Sequence, residues 1–114
     1  MNFIYVGLGG MVGATLRYAC YLIPSTIFPW ATLLVNALGC FCAGAMAARF
    51  APEHPIYIFC TIGVLGSFTT FSAFTGDTWL LLKSGQTLTA WLNITITLGI
   101  GLLLYASGRK LFGM

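Results

Sequence analysis

The spacing of the charged side chains constrains this chain more than anything else in it. No Asp, Glu, Lys or Arg occurs in residues 1–16, 18–48, 54–76 or 84–108. A helix needs about 20 mostly apolar residues to cross the roughly 30 Å hydrocarbon core of a bilayer. The second stretch divides at a turn signal, Pro24-Ser25 through Pro29, so the chain yields four segments of spanning length. They are predicted at 2–23, 30–50, 56–82 and 87–108, with short connections rich in Pro, Ser and Gly between them. Trp30, Trp79, Trp91 and Tyr105 fall near the span ends, where aromatic belts sit. The first span has neither a basic stretch before it nor a small-residue cleavage site after it. It is expected to stay in the membrane rather than to be removed as a signal peptide.

Composition closes off the other classes. Of 114 residues, 59% are hydrophobic and 6% are charged, against about a quarter charged in a soluble domain. A water-facing surface cannot be covered with so few polar groups, and a disordered chain would hold far fewer apolar ones. The net charge of +3 comes from scattered residues, whereas a nucleic-acid partner needs a clustered basic face. The apolar runs lack the period of two that a membrane barrel requires. Cys20, Cys40, Cys42 and Cys60 form no C-x-x-C pair, and His54 is the lone histidine. A zinc centre or a Ser/His/Asp-type nucleophile is therefore not expected, and neither is an enzyme. The expected fold is a single all-α membrane domain of four transmembrane helices, lipid its surroundings.

The third segment carries the most unusual local sequence, Gly63-Val64-Leu65-Gly66-Ser67-Phe68-Thr69-Thr70-Phe71-Ser72-Ala73-Phe74. Glycine and β-branched threonine weaken a helix, and Ser and Thr side chains compete for its backbone hydrogen bonds. A helix break is predicted near 66–72, at mid-span. Non-helical backbone at that depth is tolerated only where protein or a wet cavity surrounds it. Such a break frees carbonyls that can hold a cation and half-helix N-termini that favour an anion.

Arg49, Arg109 and Lys110 share one side of the membrane. Lys83 lies on the other, with Arg17 near the end of span one. So small a difference sets orientation weakly, and two oppositely inserted copies can form an antiparallel dimer. Its two-fold axis lies at mid-depth in the membrane plane, where two mid-span breaks meet and can share one ion. Dual topology is the expectation.

Arg17 and Asp77 are the charges clearly inside predicted spans, where each is costly. Either they pair or share an aqueous vestibule, or each snorkels to the interface. Asn36 is a buried amide in span two, with Thr32 one turn earlier on the same face. It serves as interhelical glue or as an N–H donor to an anion. Thr89, Asn93 and Thr97 recur at i, i+4 and i+8, forming either a hydrated polar track or a helix–helix seam. Gly9-x-x-x-Gly13, Gly10-x-x-x-Ala14, Ala43-x-x-x-Ala47 and Gly44-x-x-x-Ala48 read as close helix packing.

Three motifs in order, Gly9-Gly10-x-x-Gly13-Ala14-x-x-Arg17-Tyr18, Thr32-Leu33-x-Val35-Asn36-x-x-Gly39 and Gly63-x-x-Gly66-x-x-Thr69-Thr70-Phe71-Ser72-x-Phe74, closely resemble the Fluc (CrcB) family of fluoride channels. The resemblance implies an antiparallel, dual-topology homodimer with two pores that passively exports fluoride from a microbial cytoplasm, and so a multi-pass protein of the cell membrane. A pair of related single-orientation chains is the other assembly it allows. It further implies a structural sodium ion at the dimer centre, held by the backbone carbonyls of Gly66 and Thr69. Phe71, Phe74 and Asn36 would line the pore, and Ser72, Thr32 and Arg17 are expected beside them. Thr89, Asn93 and Thr97 are placed on a further polar track by their spacing alone, where the family usually has serines and a tyrosine. Ala73 stands where the family motif usually has threonine, Asp77 where glutamate is usual, and Ser67 where a second glycine is common. The rival reading is a small multidrug-resistance-type proton-coupled exporter. It needs a carboxylate embedded in the first span, and span one carries Arg17 and no acid.

Overall fold

The computed structural model describes residues 1–24 and 26–113, so Ser25, part of the predicted turn, lies outside the described residues. Among those described, every regular element is a helix. In chain order they are α1 (Asn2–Tyr21), α2 (Trp30–Arg49), α3 (Pro55–Tyr57), a π-helical stretch (Ile58–Leu65), α4 (Gly66–Phe68), α5 (Phe71–Lys83) and α6 (Thr87–Phe112). Four helical units are long and apolar enough to cross a membrane: α1, α2, the composite Pro55–Lys83 and α6. The all-α, four-span reading holds, with a third span that is interrupted midway.

The helix ends differ from the predicted spans at a few places. α6 runs beyond Gly108 to Phe112, at about 1.5 Å per residue a rod of roughly 39 Å. The apolar run stops at Gly108, but the backbone hydrogen bonds do not. Arg109 and Lys110 lie in the last turn, where cations complement the negative end of the helix dipole. The third span begins on a side-chain cap, His54 Nδ1 accepting from the Ile56 N–H at 3.1 Å, with Pro55 at a position that needs no donor. It closes on Gly85, whose φ of 83° is left-handed. There Gln86 N–H meets Leu81 O at 2.8 Å and Gly85 N–H meets Leu82 O at 3.2 Å, the double bond that ends many helices at a glycine.

Two packed pairs build the fold: α1 lies along the π-helical stretch and α2 along α6. Both seams depend on missing side chains. A methyl on Gly13 would run into Val64 O and Ser67 Oγ, and one on Gly9 into Phe59 O. Across the other seam, a methyl on Gly44 would strike Tyr105 O, and one on Gly108 would strike Phe41 O. Without a hydrophobic drive between helices in lipid, close backbone contact of this kind supplies the attraction. Gly10 belongs to neither seam, since nothing lies within 4 Å of its outward face.

Candidate functional site

The interruption of the third span is two residues long. Thr69 (φ −76°, ψ 155°) and Thr70 (φ −148°, ψ 116°) are extended between α4 and α5. The last helical bond before it runs from Thr69 N–H to Leu65 O at 3.0 Å. In an unbroken helix the Thr70 and Ala73 N–H groups would close on the carbonyls of Gly66 and Thr69. Here Thr70 N–H donates to Asn36 Oδ1 at 2.8 Å, and Ala73 N–H donates to Thr70 Oγ1 at 3.1 Å. Both carbonyls thereby lose their helical donors. They are the donor set that suits a hard cation, which takes oxygen ligands.

Local chemistry explains why the chain parts at this point. Ser67 Oγ donates to Gly63 O at 2.8 Å and Thr69 Oγ1 to Leu65 O at 2.9 Å, so hydroxyls share the carbonyls of the final turn with the backbone. Thr70 then starts α5 as its N-cap, a role in which threonine is favoured. From α2, Asn36 clamps the open peptide on both sides, its Nδ2 donating to Thr70 O at 3.1 Å while its Oδ1 accepts the Thr70 N–H. Gly39 permits the approach, because a methyl there would collide with the Thr69 Cγ2. Asn36 is thus interhelical glue within the chain. One of its two amide hydrogens is taken by Thr70 O, which leaves the second for a ligand.

Seven of the predicted site residues line one or other of two cavities, and Arg17, Ser72, Thr89 and Asn93 line neither. A groove of about 520 Å³ is lined by Asn36, Gly66, Thr69, Phe71, Phe74 and Thr97 among others. The Phe71 and Phe74 rings stand 5.8 Å apart, tilted by 49°, and Phe71 is 77% exposed. Thr32 lines a second cavity of about 590 Å³, together with Tyr21 and Asp77. Thr32 donates to Asp77 Oδ2 at 2.6 Å, and Tyr21 Oη lies 3.2 Å from the Thr32 hydroxyl. Among the described residues Asp77 is held by this threonine and not by Arg17. The reason is topological: α1, which carries the half-buried Arg17, packs on the first half of the third span, while Asp77 sits on the second half. Ser72 is exposed, its hydroxyl 3.2 Å from that of Thr70.

On α6 the three polar residues do not act alike. Asn93 is 1% exposed and donates through Nδ2 to Thr78 Oγ1 at 2.9 Å, which makes it a seam residue between α5 and α6. Thr97 donates to Asn93 Oδ1 at 3.3 Å and reaches the groove. Thr89 is half-buried and lines neither cavity. Sequence reasoning passed over Thr70 and Thr78. Thr70 was findable, since a helix restarting at Phe71 needs a cap just before it. Thr78 follows Asp77 directly, and nothing in the local sequence sets it apart from Thr75.

Against models of known families, residues 4–109 match that of the CrcB-like proteins, Camphor Resistance (CrcB). The chain belongs to the CrcB family. Among relatives, the chain is 36% identical over 119 residues to the "Fluoride-specific ion channel FluC" of Shewanella halifaxensis (strain HAW-EB4), covering 96% of this chain and 94% of the relative. It is 39% identical to the protein of the same name from Shewanella baltica (strain OS155 / ATCC BAA-1091), with the same coverage. It is 40% identical over 100 residues to the FluC of Elusimicrobium minutum (strain Pei191), with 83% and 80% covered. The interrupted span, the Asn36 clamp and both cavities all fall inside the CrcB match, so the features described above belong to its family region rather than to an appended segment.

Proposed function

We propose that this CrcB chain is a fluoride-selective channel that passively exports fluoride across the cell membrane of a microbe, where it is a multi-pass protein. The observation that carries the reading is the groove beside the interrupted third span, in which Asn36, Phe71 and Phe74 line one space. Fluoride is small and tightly hydrated, so a pore must replace its water with donors. The edge of a phenyl ring is electropositive, and two rings three residues apart on α5 offer successive edges to a passing anion. The second amide hydrogen of Asn36 adds a donor at the same level. Hydrofluoric acid crosses a bilayer as a neutral molecule and ionises in the cytoplasm. A passive pore then lets the trapped anion leave down its gradient.

The assembly that suits this groove is an antiparallel homodimer of oppositely inserted copies, since the weak charge asymmetry and the mid-span break both favour it. The carbonyls of Gly66 and Thr69, which have lost their helical donors, would hold a sodium ion at the dimer centre. Such an ion supplies fixed positive charge, and with Arg17 it lowers the barrier that hydrocarbon raises against an anion.

Fluoride efflux from liposomes containing the purified protein tests the reading. Rapid efflux that excess chloride does not inhibit is expected, and Phe71→Ile should cut it at least about tenfold while leaving the dimer folded. Flux that needs a proton gradient, or that passes chloride equally, would overturn the channel assignment.

A further inference from the structure

Thr97, Asn93 and Thr78 form one directed chain of hydrogen bonds that ends on the backbone of Phe74. Thr78 Oγ1 donates to Phe74 O at 2.8 Å, Asn93 Nδ2 to Thr78 Oγ1 at 2.9 Å, and Thr97 Oγ1 to Asn93 Oδ1 at 3.3 Å. The direction is forced from the far end. A carbonyl can only accept, so the single hydrogen of Thr78 goes to Phe74 O. Asn93 must then offer an N–H to the Thr78 lone pair, which turns its carbonyl oxygen to Thr97, and Thr97 must give up its own hydrogen. Thr95 and Ser107 on the same helix behave differently, each donating to the carbonyl four residues back. Thr97 instead gives its hydrogen to a side chain.

From this geometry we infer that Thr78, Asn93 and Thr97 are positioning residues, which fix where Phe74 stands in the groove by tying α5 to α6. The inference rests on the channel reading above. Thr97 lines the groove but presents lone pairs to it, because its hydrogen points inward. It therefore offers a passing anion no donor at this step and acts through Asn93. Asn93 and Thr78 are buried and touch nothing that passes. Neighbouring polar groups polarised in one sense strengthen one another, so the chain works as a unit whose weakest link is the long Thr97 bond.

The test is fluoride efflux and the fluoride-to-chloride flux ratio, both per folded dimer, in liposomes. Thr78→Val keeps the shape and removes the hydroxyl. It is expected to slow efflux about tenfold, the equivalent of one hydrogen bond, and to lower the flux ratio. Thr78→Ser restores the bond and should stay within about twofold of the wild type. Thr97→Val, which leaves the buried pair intact and so still folds if Thr78→Val does not, should slow efflux about threefold. A merely structural bolt would lower the yield or the melting temperature without moving the ratio. An unchanged ratio and rate in Thr97→Val, or equal losses in Thr78→Val and Thr78→Ser, overturn the inference while wild-type efflux stands. Wild-type protein that passes no fluoride removes the channel reading and this inference with it.

Discussion

The two halves of the third span are held by different physics. The first half, Pro55–Phe68, is pressed backbone to backbone against α1 through Gly9 and Gly13, with π winding in its middle. The second half, α5, keeps ordinary α winding and is tied to α2 and α6 by hydrogen bonds from Asn36, Thr32 and Asn93. The half that carries Phe71 and Phe74 is the one fixed by directional contacts. Close packing sets a distance but tolerates sliding and rotation, whereas a hydrogen bond to a particular atom sets the register. The pore role proposed for the Phe71 and Phe74 ring edges would require the second kind of control.

Substitutions can break this contrast in order of size. Gly13→Val places side-chain carbons inside Val64 O and Ser67 Oγ, and overpacking of this kind costs about 3 kcal/mol or more. The first half should come away from α1, seen as loss of the folded, monodisperse species on size-exclusion chromatography in detergent. Asn36→Asp keeps an acceptor for Thr70 N–H but removes the donor to Thr70 O and adds charge beside it. A loss of about 2 kcal/mol in unfolding free energy is expected, with efflux falling by at least about a hundredfold. Thr70→Val removes the cap of α5, worth about 1 kcal/mol, together with the contact to the Ser72 hydroxyl, and a thermal melt should register that modest drop. Gly10→Ala is the smallest test. A methyl added here would meet nothing within 4 Å outside its own helix turn, so the fold of the chain should change by less than about 0.5 kcal/mol. A larger loss would show that a second copy packs on that face of α1.

The four spans were legible because charge is so costly in lipid that its absence alone marks the helices. The break was legible for a related reason. Glycines and neighbouring hydroxyls concentrated in the middle of one span weaken its helix, and Thr69 and Thr70 do leave the helix there. Partners were harder to read. Arg17 and Asp77 invite pairing by charge, yet the fold sets them against different elements, and a neutral threonine on α2 reaches the acid first. The i, i+4, i+8 spacing of Thr89, Asn93 and Thr97 marks one helix face without saying what that face meets, and only packing turns Asn93 inward. The π winding left no trace in Ile58–Leu65, since an apolar run looks the same at either pitch.

That π winding has a consequence for how the span can vary in length. A wide turn is what an α-helix becomes when one extra residue is squeezed in while both flanks stay fixed. Deleting a single residue from Ile58–Leu65 would therefore let the stretch rewind to the ordinary pitch with α1 still seated on it and Thr70 still facing Asn36. The same deletion within α5 has no slack to absorb it, and would swing every ring beyond it by about 100°. The span holds its spare residue on the side of the break where a change of length does least harm.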